Sequence, residues 1–272
     1  MKKILYHIFL LLCIAVFCIS AYKLYGYYKS YKEAKDTYEK IKKDNVKKTN
    51  GDRTIDFDKL RAKNPDIVGW VYAKGTGIDY PIVQGKDNEE YLHMDYNKKK
   101  SSSGTIFLDH GCDKSFISDN NIIYGHHMKN GTMFAQLLKY KEQDFFEKYP
   151  YFSIYTPERE IRLKAVSCYY GEAKPIVRKT RFKSQEAFDE FVKEMIAPCS
   201  YAETVEYPVK ALYTFVTCSY EINDARTFLF AVEADEQGNE ITADEEYQQK
   251  MTDLMIKKAE EAEAVSKEAG KK

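Results

Sequence analysis

From about Asn64 to Val232 the chain is written in short runs of β-branched and aromatic residues, each closed by glycine, proline, asparagine, aspartate or serine. Gly69-Trp70-Val71-Tyr72 gives way to Lys74-Gly75-Thr76-Gly77, and Ile78-Asp79-Tyr80-Pro81-Ile82-Val83 follows. Pro81 has no N–H for a ladder, which predicts a sheet edge or a strand end for that segment. Thr105-Ile106-Phe107-Leu108 follows Ser101-Ser102-Ser103-Gly104, and Asn121-Ile122-Ile123-Tyr124 follows a polar loop. Residues 151–155 and 161–169 flank Thr156-Pro157-Glu158-Arg159-Glu160 as a hairpin. Residues 211–217 and 227–232 read as another strand pair, with turn chemistry supplied by Asn223-Asp224. Helical patterns are few here. Asn130-Gly131 opens a short one with Met133, Phe134, Leu137 and Leu138 on one face, and Ser184 caps one carrying Phe188, Phe191, Val192 and Met195. Many short strands with few helices predict a mainly β domain, closed as a barrel or stacked as a sandwich. No internal repeat is visible.

Ahead of this domain, Met1-Lys2-Lys3 precedes an apolar run over residues 4–22, whose polar members are His7, Ser20 and the ring ends of Tyr6 and Tyr22. At about 1.5 Å per residue such a helix just reaches across a hydrocarbon core of about 30 Å. A cleaved signal peptide shares the basic-then-apolar pattern, but no convincing small-x-small cleavage site precedes Lys23, so an uncleaved anchor is expected. Lysines stand on both flanks (Lys2 and Lys3 before; Lys23, Lys29 and Lys32 after), so charge alone does not orient it. Residues 23 to about 50 are rich in lysine and tyrosine, lack proline and hold one glycine, Gly26, which reads as a solvated helical stalk. Thr49-Asn50-Gly51-Asp52 breaks it, and residues 56–63 form one more short helix before Asn64-Pro65. After Val232 the chain turns acidic and then helix-prone over residues 242–269. The expected organisation is a terminus over 1–3, an anchor over 4–22, a stalk over 23–58, the β domain over 59–233 and a charged helical tail over 234–272.

Lysine plus arginine equals aspartate plus glutamate at 42 each, so nothing in the charge points to nucleic acid. Of six cysteines, Cys13 and Cys18 lie in the apolar run, while Cys112, Cys168, Cys199 and Cys218 form no CxxC pair and no zinc-like spacing. Those four fit either two disulfides or free thiols. Cys218 ends the strand-like run Thr214-Phe215-Val216-Thr217, and Arg226 opens the returning run eight residues later, so both can face one point. A thiol attacks as thiolate, which a neighbouring guanidinium favours; the same cation can instead stabilise the oxyanion formed by attack on a carbonyl. By itself a cysteine in an apolar strand is ordinarily a small buried hydrophobe. Tyr124-Gly125-His126-His127, at the end of another apolar run, adds a titratable partner.

Taken together these pieces resemble the class B sortases, membrane-anchored cysteine transpeptidases of Gram-positive bacteria. The resemblance covers roughly residues 64–232. It rests on Asn64-Pro65-Asp66-Ile67-Val68-Gly69-Trp70, Tyr80-Pro81-Ile82-Val83-Gln84, Gly104-Thr105-Ile106-Phe107-Leu108-Asp109, Tyr124-Gly125-His126-His127-Met128, and Thr217-Cys218 with Arg226. Phe215 departs from the leucine often found in the family's T-L-x-T-C pattern, a packing change that leaves the chemistry intact. The implied fold is a closed eight-stranded β-barrel with N-terminal helices and an inserted helix near 184–196.

The resemblance implies Cys218 as the nucleophile on the threonine carbonyl of a sorting signal. His126 would move protons to and from the amines, and Arg226 would hold the developing oxyanion. Tyr124 and Thr217 either line the site or pack beneath it. No cofactor and no metal are implied. The implied partners are surface proteins with a C-terminal sorting signal, an amine of a peptidoglycan precursor or another protein, and the membrane through residues 4–22, with the N-terminus cytoplasmic and the catalytic domain outside.

His127 competes with His126, but adjacent residues at a strand end point to opposite sides, and the motif favours His126. His93 and Asp109-His110 read as surface or loop residues, and Cys112, Cys168 and Cys199 as structural. Two other readings stand beside this one. A papain-like protease would place its cysteine early and its histidine downstream, whereas here His126 precedes Cys218 by 92 residues. A non-catalytic anchored scaffold could use the same barrel.

Overall fold

With no proline to interrupt it, the N-terminal segment forms helix α1 over Lys2–Asn45, 44 residues long, and its N-terminal part is long and apolar enough to cross a membrane. The computed structural model describes residues 2–49, 52–172, 175–199, 201–218, 225–244, 247 and 253. Near its C-terminus the helix changes surroundings, and Tyr38 and Ile41 are buried in the common core. It stops short of the expected boundary near residue 50. The Asn45 side chain donates to Ile41 O (2.7 Å), and the β-branched Val46, Thr49, Thr54 and Ile55 pair as an antiparallel hairpin, β1 (Val46–Thr49) with β2 (Asp52–Ile55). Helix α2 (Phe57–Lys63) follows, capped by the Asp56 carboxylate on Lys59 N–H at 3.0 Å and buried through Phe57 and Leu60.

The strand-like runs become β3 (Ile67–Ala73), β4 (Ile78–Val83), β5 (Ile106–Leu108) and β6 (Asn120–Gly125). A short helix α3 (Gln143–Lys148) then leads to β7 (Tyr151–Tyr155) and β8 (Glu160–Glu172). Helix α4 (Gln185–Ile196), the two-residue β9 (Tyr201–Ala202), β10 (Leu212–Cys218) and β11 (Ala225–Glu233) complete the series. The sheet runs β11-β10-β6-β5-β4-β3-β7-β8, and β8 pairs back to β11, so eight strands close a barrel and β9 is an appendage on β8. The sandwich alternative is thereby removed, because closure leaves the sheet no free edge.

Pro81 sits inside the closed sheet, at a local edge. It faces Trp70 of β3 on one side, while pairing with β5 begins only at Ile82. The helix expected after Asn130-Gly131 is a 3₁₀ turn over Phe134–Lys141. Its three-residue period buries Phe134, Leu137 and Tyr140 and leaves Leu138 half-buried, whereas an α-helical face would have buried it. Ser184 caps α4 as the sequence predicts, accepting from Ala187 N–H at 3.3 Å, with Phe188, Phe191, Val192 and Met195 buried. Phe134, Phe152 and Phe215 meet in one buried aromatic cluster, and Trp70 and Phe230 are buried on the other face of the sheet.

The Asn223-Asp224 turn and most of the helix-prone tail lie outside the described residues. The beginning of the tail docks on the barrel, where Thr242 bridges Val209 and Ala243 N–H donates to Pro208 O at 2.9 Å. Cys13, Cys18, Cys112 and Cys168 are free thiols.

Candidate active site

Three neighbouring strands end at one pole of the barrel. β6 and β10 run parallel with Tyr124 beside Val216 and Gly125 beside Thr217, and β10 meets β11 antiparallel with Thr217 opposite Thr227 and Cys218 opposite Arg226. His126 is the first residue past the β6 ladder and Cys218 the last of β10, so the backbones of His126, Cys218 and Arg226 form one row at strand spacings of about 5 Å. Residues 92 apart in the sequence become neighbours because the β6–β10 pairing is parallel, which requires a long crossover.

Gly125 is needed for this approach. A Cβ there would come within 2.6 Å of the Phe134 ring and closer still to Ile106. His126 is partly buried, and its Nε2 lies 2.8 Å from the carbonyl oxygen of Leu92. A carbonyl can only accept, so Nε2 carries the proton and Nδ1 is left to exchange one. The backbone of His126 accepts from Phe134 N–H at 3.0 Å, and His127 enters an isolated bridge with Met133. His93 is exposed, with its ring centroid 6.5 Å from that of His126.

Tyr124 is tied down below. Its ring stacks on Phe107 at 5.1 Å and its hydroxyl donates to Asp109 Oδ2 at 3.0 Å. Burial, reinforced by the Asp109 charge, holds this phenol well above its usual pKa, so it stays a neutral donor. Asp109 lies in a loop, one of the two placements expected for it, but it is not at the surface. It is 4 % exposed and also accepts from Asn88 Nδ2 (2.8 Å) and Gly111 N–H (2.8 Å), which compensates a buried carboxylate. The adjoining His110 is exposed as expected. Thr217 is buried, and its hydroxyl and that of its neighbour Thr227 have no hydrogen-bond partner among the described residues. Arg226 is half-buried.

The crossover from β8 to α4 is pinned at the opposite end of β6 and β10 from the row, where Asn120 begins β6 beside Leu212. Asn120 Nδ2 donates to Val177 O (3.0 Å) and Lys179 O (3.1 Å), Thr214 Oγ1 donates to Asn120 Oδ1 (2.7 Å), and Phe182 N–H donates to Asp119 Oδ2 (2.8 Å). Between this segment and α4 lies an open groove of about 400 Å³ lined by Ile176, Lys179, Phe182, Glu190 and Phe191. Cys112 and Cys168 are buried, and burial pushes each thiol up to about 12, so neither ionises near neutral pH. No group of three or more metal-ligating side chains occurs among the described residues.

No family model matches the chain. Sortase B of Listeria monocytogenes serovar 1/2a is 34 % identical over 173 residues, 63 % of this chain and 70 % of that protein. The chain belongs to the class B sortases. The solved sortase B of Clostridium perfringens, 34 % identical, superposes with a TM-score of 0.62 over 66 % of this chain and 100 % of that one. A Staphylococcus aureus sortase B–substrate complex, 26 % identical, gives 0.66 over 76 % of this chain and 99 % of that one. Sortases are cysteine transpeptidases, and the barrel described above is the sortase barrel. Three features of this sortase's pole left no clear mark in its sequence. The Leu92 carbonyl is a backbone group with no residue signature, the depth of Asp109 depends on long-range packing, and the Tyr38 contact described below comes from an element outside the barrel.

Proposed function

We propose that this sortase cleaves a C-terminal sorting signal after threonine and passes the new carboxyl group to an amine at the cell wall. Cys218 attacks the threonine carbonyl. The S–C bond forms, the scissile C–N bond breaks, and His126 gives its proton to the departing amine. Arg226 neutralises the oxyanion of the tetrahedral intermediate. The thioester is then resolved by an amine of a peptidoglycan precursor or of another protein, which loses its proton to His126. Water in place of the amine would give hydrolysis, so the site must favour the amine. Tyr124 and Thr217 support the row from beneath. The observation that carries this reading is the strand register that sets Cys218 opposite Arg226 and one step from His126.

Residues 4–22 anchor the enzyme, residues 1–3 lie in the cytoplasm, residues 23–58 form the stalk, and residues 59–233 form the catalytic domain on the outer face, followed by the tail over 234–272. The long α1 supports this reading because it passes without interruption from an apolar segment to a barrel-docked one.

The test is a panel of sorting-signal peptides with triglycine as acceptor and mass spectrometry of the products. The expected result is threonine capped by triglycine from the wild type and nothing from Cys218→Ala. Hydrolysed product alone would retain a thiol peptidase and remove the transpeptidase assignment for that acceptor. Equal silence of both proteins on every peptide would favour the scaffold reading.

A further inference from the structure

We propose that Tyr38, on the helix that leads out of the apolar segment, is a positioning residue for His126. This rests on His126 being the proton-transfer group proposed above. The path has few contacts. The buried Tyr38 hydroxyl donates to Gly104 O at 2.7 Å and lies 3.2 Å from Thr105 Oγ1. Thr105 in turn donates through Oγ1 to Met94 O (2.8 Å) and through N–H to Tyr91 O (3.0 Å), while Ser101 N–H donates to His93 O (2.9 Å). Residues 91–94 and 101–105 are thereby laced into one unit, which α1 meets again where Ser30 Oγ lies 3.0 Å from Ser102 Oγ.

Gly104 transmits the contact. Its φ of +55° is left-handed, and a Cβ would stand 2.7 Å from both Tyr91 O and Leu92 O and 3.0 Å from Cδ2 of His126. Gly104 thus leaves no room for a side chain between its backbone, the histidine ring and the carbonyl that accepts its Nε2–H. Its position therefore sets how closely these groups pack. The Leu92 carbonyl fixes the ring, because an acceptor there holds the proton on Nε2 and leaves Nδ1 for exchange. Losing the Tyr38 donor relaxes Gly104 and weakens that hydrogen bond, so the His126 ring is held less firmly beside Cys218. A Cys218 thiolate that depends on a well-placed histidine then forms less readily, and its alkylation moves to higher pH.

Tyr38→Phe removes only the hydroxyl and keeps the ring on Tyr80, an edge-on contact at 5.4 Å. The full chain in detergent micelles is treated with iodoacetamide across a pH series, and modification of residue 218 is followed by peptide mapping, which separates it from the other five cysteines. This readout needs no sorting signal. The expected result is an upward shift of the reactivity midpoint by about half a pH unit in Tyr38→Phe, and a larger one in His126→Gln. Gly104→Ala, which drives a methyl group toward the same carbonyls, moves the midpoint in the same direction. A Tyr38→Phe curve superimposed on wild type, with His126→Gln shifted, overturns the coupling and leaves the catalytic reading intact. Superposition of all curves removes His126 from the mechanism and the coupling with it.

Discussion

Replacing Phe215 by leucine, the residue often found there in the family, tests whether this barrel's pole is held by its own aromatic cluster. Phe215 has no exposed surface. Its ring stacks on Phe152 at 4.8 Å and 25°, and meets Phe134 edge-on at 6.0 Å and 77°. Each such aromatic pair is worth about 0.5–1.5 kcal/mol beyond burial, and the smaller side chain leaves a void costing about 0.5 kcal/mol. The sum is about 2–3 kcal/mol, which for a domain of this size lowers Tm by about 5–10 °C. Phe215→Ala removes the whole ring and is expected to cost about 4 kcal/mol.

The assay is thermal unfolding of the full chain in micelles, followed by the single tryptophan. Trp70 is buried and donates to Asp79 at 2.7 Å, so its emission reports the barrel. A double-mutant cycle with Phe152→Leu is expected to give a coupling of about 1 kcal/mol. If Phe215→Leu melts within about 1 °C of wild type and the cycle shows no coupling, the rings only fill space and the reasoning is wrong. The same change should slow catalysis, because Phe134 is also the wall against which Gly125 brings β6 to its end before His126.

Other outcomes follow from the same geometry. Gly125→Ala forces a methyl group into Phe134 and Ile106, and is expected to cost about 1–3 kcal/mol in urea titration and at least about tenfold in turnover. Asp109→Asn leaves Tyr124 O–H and Asn88 Nδ2–H competing for a neutral acceptor, and should lower stability by about 1–2 kcal/mol. Asp66 is one acid-sensitive site. Burial raises its carboxyl, but hydrogen bonds from Lys98 and Tyr91 outweigh this and hold it below the usual value. The stability it lends is therefore present above its unfolded pKa of about 3.9 and is lost as pH falls through the depressed folded value. Lys98→Gln should cost under about 1 kcal/mol at neutral pH, since the pair is largely exposed, and nothing once the pH has fallen below the depressed folded value, where both proteins carry a neutral carboxyl.

Much of the barrel was legible because strand signals are local. β-Branched and aromatic runs closed by turn residues gave β3, β4, β7, β8, β10 and β11 within a few residues, and Ser184 marked the start of α4. What was not legible depends on pairing and packing. Nothing local in Val46-Lys47-Lys48-Thr49 distinguishes a hairpin strand from the frayed end of a lysine-rich helix. The period of the 134–141 turn is set by how Phe134 and Tyr140 insert under the barrel, so a helical face drawn at 3.6 residues per turn misplaced Leu138. At the pole, the row of His126, Cys218 and Arg226 was visible as motif ends. Asp109 was legible as a loop residue but not as a buried one, because its partners Asn88 and Tyr124 lie 21 and 15 residues away. The role given to the Leu92 carbonyl and to Tyr38 has no motif at all. It exists only once residues 91–105 fold back between the helix and the histidine.

The most direct measurement is the mass of the acyl-enzyme. Wild-type protein is mixed with a cleavable sorting-signal peptide without acceptor, quenched in acid, and mapped by tandem mass spectrometry. The expected result is a peptide adduct ending in threonine on Cys218, which disappears on adding triglycine as the capped product appears. An adduct on any other cysteine, or cleavage that persists unchanged in Cys218→Ala, would contradict the assignment of Cys218 as the nucleophile.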